Sequence, residues 1–262
     1  MVRTLSKNEA KIILEMEWQK SQYITLRDVM SLLNCSYNNA KNIIQRLMKK
    51  NWLESTSKGK YFLISVDTGT EGIPTTNSLL IGSLFVDPYY FSYATANSYH
   101  GLSTQVPSTV YIATIKSRRN VTIRNTMYQF VTLSNYKFFG FTTAKVFDIE
   151  VLMAEKEKAL VDSIDKMKYA GGIFEVIEIL KNKSEQINID TVIEYACQMR
   201  SNSLIQRLGF LLESLGISFD DQRLLNHVGK TVTYLDPLGE KKGAYHAKWS
   251  IIQNIPSRWF HA

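Results

Sequence analysis

TLRDVMSLLNCSYNNAKNIIQRLMKK, residues 25–50, decides the reading of the N-terminal part of this chain. Thr25 with Asp28 three residues on has the spacing of a capped helix start. Leu26, Val29, Leu32 and Leu33 then recur on one helical face. Asn34-Cys35 breaks that pattern, and Ser36 is a natural N-cap for a further helix. The buried positions of that helix are expected at Ala40, Ile43/Ile44 and Leu47. Upstream, a helix is expected from Ser6 to Gln19, with Ala10, Ile13, Leu14 and Glu17/Trp18 as its stripe and Ser6/Glu9 at capping-box spacing. Downstream, WLESTSKGKYFLIS reads as two short strands around a Lys58-Gly59-Lys60 turn. Helix, helix, short turn, helix and basic hairpin predict a winged helix-turn-helix over residues 1–66.

In that arrangement the second helix of the pair enters the major groove of DNA. Its outward positions are Ser36, Tyr37, Asn38, Asn39, Lys41, Asn42, Gln45 and Arg46. Asn and Gln can pair bidentately with adenine and Arg with guanine, while Ser, Tyr and Lys suit phosphates. Lys58 and Lys60 at the hairpin tip are placed for flanking backbone. Winged helices also dock proteins, and the helix would then be a solvated polar face. Composition favours DNA, because no acid occurs from Cys35 to Asn51.

Charge is localised in the same sense. Of a formal net +7, residues 1–64 carry 11 Lys/Arg against 5 acids, and residues 88–147 carry six Lys/Arg and no acid. Two basic blocks on a near-neutral remainder suggest an anionic partner, of which nucleic acid is the commonest. Lys116, Arg118, Arg119 and Arg124 make the sharpest cluster, either a solvated turn or a second anion-binding face.

DTGTEGIPTTN (67–77) is rich in Gly, Thr and Pro and reads as a linker. The remainder, 78–262, is expected to be a larger mixed α/β domain. SLLIGSLFV and YYFSYATANSYHGL look helical. VPSTVYIATI, RRNVTI, YQFVTLS and FGFTTAKVFDIEVLMA have strand period, and four strong helices follow between 155 and 217. TVTYLDP and AYHAKWSII close the chain as strands. The expected class is α+β, with a mainly antiparallel sheet and a helical C-terminal part.

Chemical signatures are sparse. Cys35 and Cys197 have no CxxC spacing, which fits a reducing compartment. The N-terminus mixes charge into its apolar positions, unlike a signal peptide. With no apolar run long enough for a bilayer, a cytoplasmic protein without membrane partners is expected. The four histidines show no zinc-ligand spacing, and neither a GxSxG elbow nor a P-loop occurs. His100, followed by Gly101, reads as a helix end rather than a catalytic base. Glu240-Lys241-Lys242, with Asp236 or Asp221 upstream, matches the acid and E-x-K set of a metal-dependent nuclease, but DPLGEKKG reads as a solvated turn. The acids Glu155, Glu157, Asp162 and Asp165 alternate with Lys156, Lys158, Lys166 and Lys168, as on a salt-bridged, solvated helix face. No catalytic residue, metal or cofactor is expected, and no enzymatic turnover.

The ordered segments YYFSYATANSYHGL, STQVPSTVYIATIKSRR, FFGF (138–141), AEKEKALVD (154–162) and IQRLGFLLE (205–213), behind an N-terminal winged helix, resemble the AbiEi antitoxins of type IV toxin–antitoxin systems. The matching positions are Tyr90, Tyr93, His100, Gly101, Val106, Pro107, Lys156, Asp162, Arg207 and Gly209. The resemblance implies a bacterial DNA-binding autorepressor of repeats in its own promoter, serving phage abortive infection. It also implies antagonism of a nucleotidyltransferase-like toxin, AbiEii, without a stable complex. The alternatives are a regulator responsive to a ligand or partner, and the nuclease. Arg207, inside an apolar helix, is expected to pair with Glu213 or an acid of 154–162.

Overall fold

The computed structural model describes residues 4–19, 21, 23–55, 59–63, 78–105, 107–123, 126–146 and 149–260. The chain divides into two compact units, Met1–Asp87 and Pro88–Ala262. The segment read as a linker, 67–77, lies outside the described residues.

The first unit begins with helix α1 (Lys7–Trp18), short strand β1 (Tyr23–Thr25), and helices α2 (Leu26–Leu33) and α3 (Tyr37–Lys49). Strands β2 (Leu53–Ser55) and β3 (Lys60–Leu63) follow, and the three strands form one antiparallel sheet in the order β1-β3-β2. The start of α2 is built as its spacing predicts. The Thr25 amide donates to Asp28 Oδ2 at 2.8 Å and the Asp28 amide donates to Thr25 Oγ1 at 3.3 Å. Asn34 ends α2 in the left-handed region, with φ +47°, a conformation Asn tolerates better than most residues. Ser36 then caps α3 by accepting from the Asn39 amide at 3.4 Å. Ala40, Ile43, Ile44 and Leu47 are the buried side of α3 and join Val29 and Ile24 in one core.

The phase of α1 differs from the expectation. Its buried side is Glu9, Ile12, Ile13 and Met16, while Leu14 and Trp18 are 68% and 81% exposed. The physical reason is Glu9, a carboxylate occupying a core position. Its Oε2 accepts from the Ser6 amide and from Lys50 Nζ, each at 2.7 Å. Arg46 Nε stands 3.3 Å from Oε1 as an ion pair. Two donors thus meet Oε2, while Arg46 offsets the charge at Oε1 as a neighbouring cation without a hydrogen bond to it, which is how the buried charge is tolerated.

A short helix α4 (Ser78–Ser83) completes the described part of this unit. Helix was expected over the whole of 78–86 and again from Tyr89. Pro88 is the reason it does not continue, since it lacks an amide proton and disfavours helical backbone at Asp87. Tyr90–Phe91 is instead strand β4, and only Tyr93–Tyr99 is helix, α5.

The second unit is a mixed sheet packed with helices. Its strands are β4, β5 (Thr109–Thr114), β6 (Val121–Ile123), β7 (Thr126–Thr132), β8 (Phe141–Val146) and β9 (Ile149–Ala154), in the order β6-β7-β5-β4-β9-β8. Three neighbouring pairs are antiparallel, but β5–β7 and β4–β9 are parallel. The sheet is therefore mixed, because β6 lies outside β7 instead of between it and β5. Central strand β4 ties the two halves together, pairing Tyr90 with Ala113 on one side and Phe91 with Met153 on the other.

Helix α6 (Lys156–Asp165) forms the heart of the helical layer and packs on α5, α8 (Ile189–Gln198) and α9 (Asn202–Ser214). Around it lie α7 (Ile173–Lys183) and α10 (Asp221–Leu225). A small sheet of β10 (Thr233–Tyr234), β12 (Ile251–Gln253) and β11 (Ala244–His246) closes against α9. Among the described residues no helix is long and apolar enough to cross a membrane.

Candidate nucleic-acid interface

Four buried residues of α3 fix what its other side presents. Ser36, Tyr37, Asn38, Asn39, Lys41, Asn42, Gln45 and Arg46 are all exposed. They leave a convex polar ridge with no carboxylate of its own, and Tyr37, at 53% exposed, at its leading end. Lys60 sits at the start of β3, half-buried, with its Nζ 4.4 Å from the centre of the Tyr23 ring. Lys58 lies outside the described residues.

Arg46 differs from its neighbours on the ridge. Its side chain is 55% exposed, yet its Nε faces the buried Glu9. One edge of the guanidinium is thereby held toward α1. Lys50, the residue after α3, occupies the other Glu9 oxygen. Glu9 was not expected here, although its place at the third helical position behind Ser6 was legible as a capping signal.

Burial opposes the charge of Glu9, but hydrogen bonds from Lys50 and Ser6 hold its carboxyl below the ordinary value of 4.5. A depressed folded-state value stabilises the fold above the unfolded value, and that stabilisation disappears as pH falls through the folded one. Glu9→Gln is expected to cost about 1–3 kcal/mol at neutral pH. The gap between variant and wild type in urea midpoint should close on acidification from about pH 7 to 3. A constant gap over that range would remove the role given to the Glu9 charge.

The second basic cluster lies between β5 and β6, at one end of the larger sheet. Lys116 and Arg119 are exposed, while Arg118 is half-buried with its guanidinium 4.9 Å from the centre of the Phe130 ring. Burial lowers the Arg118 pKa from its ordinary value. Arg124 lies outside the described residues, so the structure brings three of the four residues to one loop.

Other singled-out residues find structural partners. His100 ends α5, and its Nε2 lies 2.7 Å from the Ala154 carbonyl on β9. Glu240, Lys241 and Lys242 occupy the exposed turn between β10 and β11. Asp236 accepts the Leu238 amide within that turn, and Asp221 pairs with Lys248 at 2.9 Å. Among the described residues no three His, Cys, Asp or Glu groups gather to hold a metal ion. Arg207 does not pair with Glu213. Its Nε donates to the Tyr234 carbonyl at 3.1 Å, while Glu213 accepts from Trp249 Nε1 at 2.9 Å and from Lys248.

Helix α6 is not the solvated, salt-bridged face that its alternating charges predict. Lys158 and Asp162 are wholly buried and pair across one helical turn. Asp162 Oδ2 also accepts from Ser92 Oγ at 2.7 Å and from Tyr90 Oη at 3.1 Å, and Lys158 Nζ donates to Tyr90 Oη at 2.9 Å. Tyr90 stacks on Phe141 at 4.9 Å, and Lys158 Nζ lies 4.9 Å from the Phe139 ring centre. Between those rings Gly140 takes φ +68°, where a Cβ would stand 3.1 Å from the Lys158 side chain and from Tyr195. Burial and the Asp162 charge push the Tyr90 phenol well above its ordinary value, so it stays a proton donor. Three of the ordered segments, YYFS, FFGF and AEKEKALVD, thus meet in one closed polar knot that packs the domain.

No family model matches the sequence, and no curated protein matches it. Among solved structures, the chain is similar to one described as the crystal structure of the RV2827C protein from Mycobacterium tuberculosis. The TM-score is 0.66 at 13% identity, over 95% of this chain and 92% of that one. At that identity the likeness concerns the fold.

Proposed function

We propose that the protein is a sequence-specific DNA-binding autorepressor whose first unit is a winged helix. In this reading α2 and α3 are the helix-turn-helix pair and β2–β3 the wing. The observation that carries it is the ridge on α3, where eight exposed polar or basic side chains face outward without an acid among them. A duplex is a dense line of negative charge, so an acid-free convex helix with Asn, Gln and Arg at its surface can both approach it and read bases. The second unit is the antitoxin portion of a type IV system of the AbiEi kind. It acts in the bacterial cytoplasm against a nucleotidyltransferase-like toxin, without a stable complex and without turnover. What supports that assignment is the resemblance of the ordered segments, three of which pack together around Lys158 and Asp162 in this chain.

The test is fluorescence anisotropy with duplex DNA from the upstream promoter, at several stated salt concentrations. Asn39→Ala is expected to weaken specific binding by about 1–3 kcal/mol and to relax preference at one base pair. Lys41→Ala should weaken all sequences alike and lower the salt slope by about one. Unchanged affinity in both variants would remove α3 as the reading element. In co-expression with the adjacent gene, Asn39→Ala should still protect against the toxin, since the two activities reside in different units. Loss of protection together with loss of operator binding would overturn that division.

A further inference from the structure

Helix α1 has apolar side chains on two sides, and the core of its unit takes up only one of them. Ile12, Ile13 and Met16 are buried, whereas Leu14 and Trp18, one turn apart on the opposite side, stand in solvent. Scattered exposed apolar residues are ordinary, but a leucine and a tryptophan in register form a continuous strip of the kind that marks an interaction surface. Charge is ordered along that strip. Lys7 and Lys11 lie toward its N-terminal end and Glu15 toward its C-terminal end, and all three border one shallow groove with Leu14, Trp18 and Leu33. This order opposes the helix dipole, which favours acids near the N-terminus and cations near the C-terminus. The last turn of α1 holds no basic residue. Lys11 Nζ donates to the Leu32 carbonyl at 3.1 Å, and Glu15 accepts from the Gln19 amide at 2.6 Å. Both partners are neutral, so neither hydrogen bond offsets the charge.

We propose that this strip is the contact surface for a second copy of the chain, with the two α1 helices antiparallel across a twofold axis. A twofold axis perpendicular to the helices turns the strip end for end and keeps the same flank of both copies together. Helical periodicity puts Lys11 and Glu15 on one flank of the line from Leu14 to Trp18, and Glu17 on the other. Pairing about the middle of α1 therefore sets Leu14 against its counterpart near the axis. Lys11 comes opposite Glu15 of the other copy, and Lys7 opposite the Trp18 ring, where a lysine gains a cation–π contact. Each contact occurs twice. The antiparallel arrangement also places the N-terminal lysines of one helix near the C-terminal carbonyls of the other, which relieves the conflict with the dipole. A second copy thus supplies the complementary charge order by symmetry alone. Helix α1 has 12 residues, about 18 Å of contact length. That is less than an interface of standard size needs, so association is weak, with a dissociation constant of about 10–100 μM. The contact does not depend on what α3 binds.

The test is sedimentation velocity of the full chain without DNA, over about 5–300 μM, a range that brackets that constant. The sedimentation coefficient of the wild type should rise with concentration toward that of a dimer. Leu14→Arg and Trp18→Ala should hold it at the monomer value, since both change exposed positions and leave the buried side of α1 intact. Lys11→Glu should weaken association about tenfold or more, because it sets acid against acid. Lys11→Glu/Glu15→Lys rebuilds the pair with its sense exchanged and should restore association to within about threefold. In a chain carrying Cys35→Ser and Cys197→Ser, Leu14→Cys should oxidise to a covalent dimer. Lys7→Cys should not, because antiparallel pairing holds the two copies of residue 7 roughly 17 Å apart along the helices, beyond the reach of a disulfide. A chain monomeric at every concentration would overturn the proposal, and is the outcome if residues 67–77 of the same chain cover the strip instead. So would a dimer indifferent to Leu14→Arg and Trp18→Ala, or a charge exchange that restores nothing. Ready cross-linking through Lys7→Cys would mark a parallel pair and overturn it equally.

Discussion

Lys158→Met is expected to destabilise the second unit by about 3–5 kcal/mol, the range found when one partner of a buried ion pair is removed. Methionine reproduces the length of the lysine stem, so packing against Phe139 and Gly140 is largely retained and the lost charge dominates. Asp162 is then left fully buried, with only the Ser92 and Tyr90 hydroxyls as donors. For a unit of this size the loss corresponds to a fall of about 6–20 °C in Tm. The pair itself need not contribute much net stability, because both ions are desolvated. The informative measurement is therefore the double variant Lys158→Met/Asp162→Asn, which removes both charges and keeps an acceptor for the two hydroxyls. It should regain most of the loss, giving a coupling energy of about 2 kcal/mol or more between the sites. Additive losses in urea unfolding would mean that the two charges do not act as a pair.

That knot also shows where sequence patterns stop being informative. Local signals for the first unit were legible because each acts within a few residues. Thr25 with Asp28, Ser36 with Asn39, and the apolar positions of α3 all appear where spacing places them. Alternating acids and lysines, by the same logic, read as a solvated face of α6. The partners that allow Lys158 and Asp162 to be buried, Tyr90 and Ser92, lie some seventy residues away and belong to another element. Glu9 defeats the phase of α1 in the same way, through Arg46 and Lys50 at the end of α3. Strands β5 to β9 could be read from period, whereas β4 was read as helix and AYHAKWSII as one strand where β11 and β12 are two. The parallel pairing of β5 with β7 could not be read, since it depends on β6 stepping outside the pair. Of the candidate interface, the α3 ridge was legible for a local reason: four buried apolar positions dictate which side chains remain outward.

Gly209→Ala is the second change expected to have a large effect, and its sign is set by competition. In an ordinary exposed helix alanine is favoured over glycine by about 1 kcal/mol. At position 209 a Cβ would stand 2.2–2.4 Å from three ring atoms of Trp249. The indole is 1% exposed, and its Nε1 donates to Glu213, one turn further along α9, so the ring lies against the helix backbone and is tethered there. A rigid ring cannot yield as the end of a flexible chain would. Either Trp249 leaves its place or α9 moves from the small sheet that contains β12. Overpacking commonly costs about 1–3 kcal/mol, and displacement of a buried tryptophan approaches the 3–5 kcal/mol of its truncation. Sterics therefore outweigh helix propensity, and a net loss of about 2–4 kcal/mol is expected in urea unfolding. The decisive comparison uses the Trp249→Ala background. With the ring absent, the same Gly209→Ala change loses its three closest clashes, and propensity should make it stabilising by up to about 1 kcal/mol. A penalty that persists without the indole would show that position 209 is constrained by something other than Trp249.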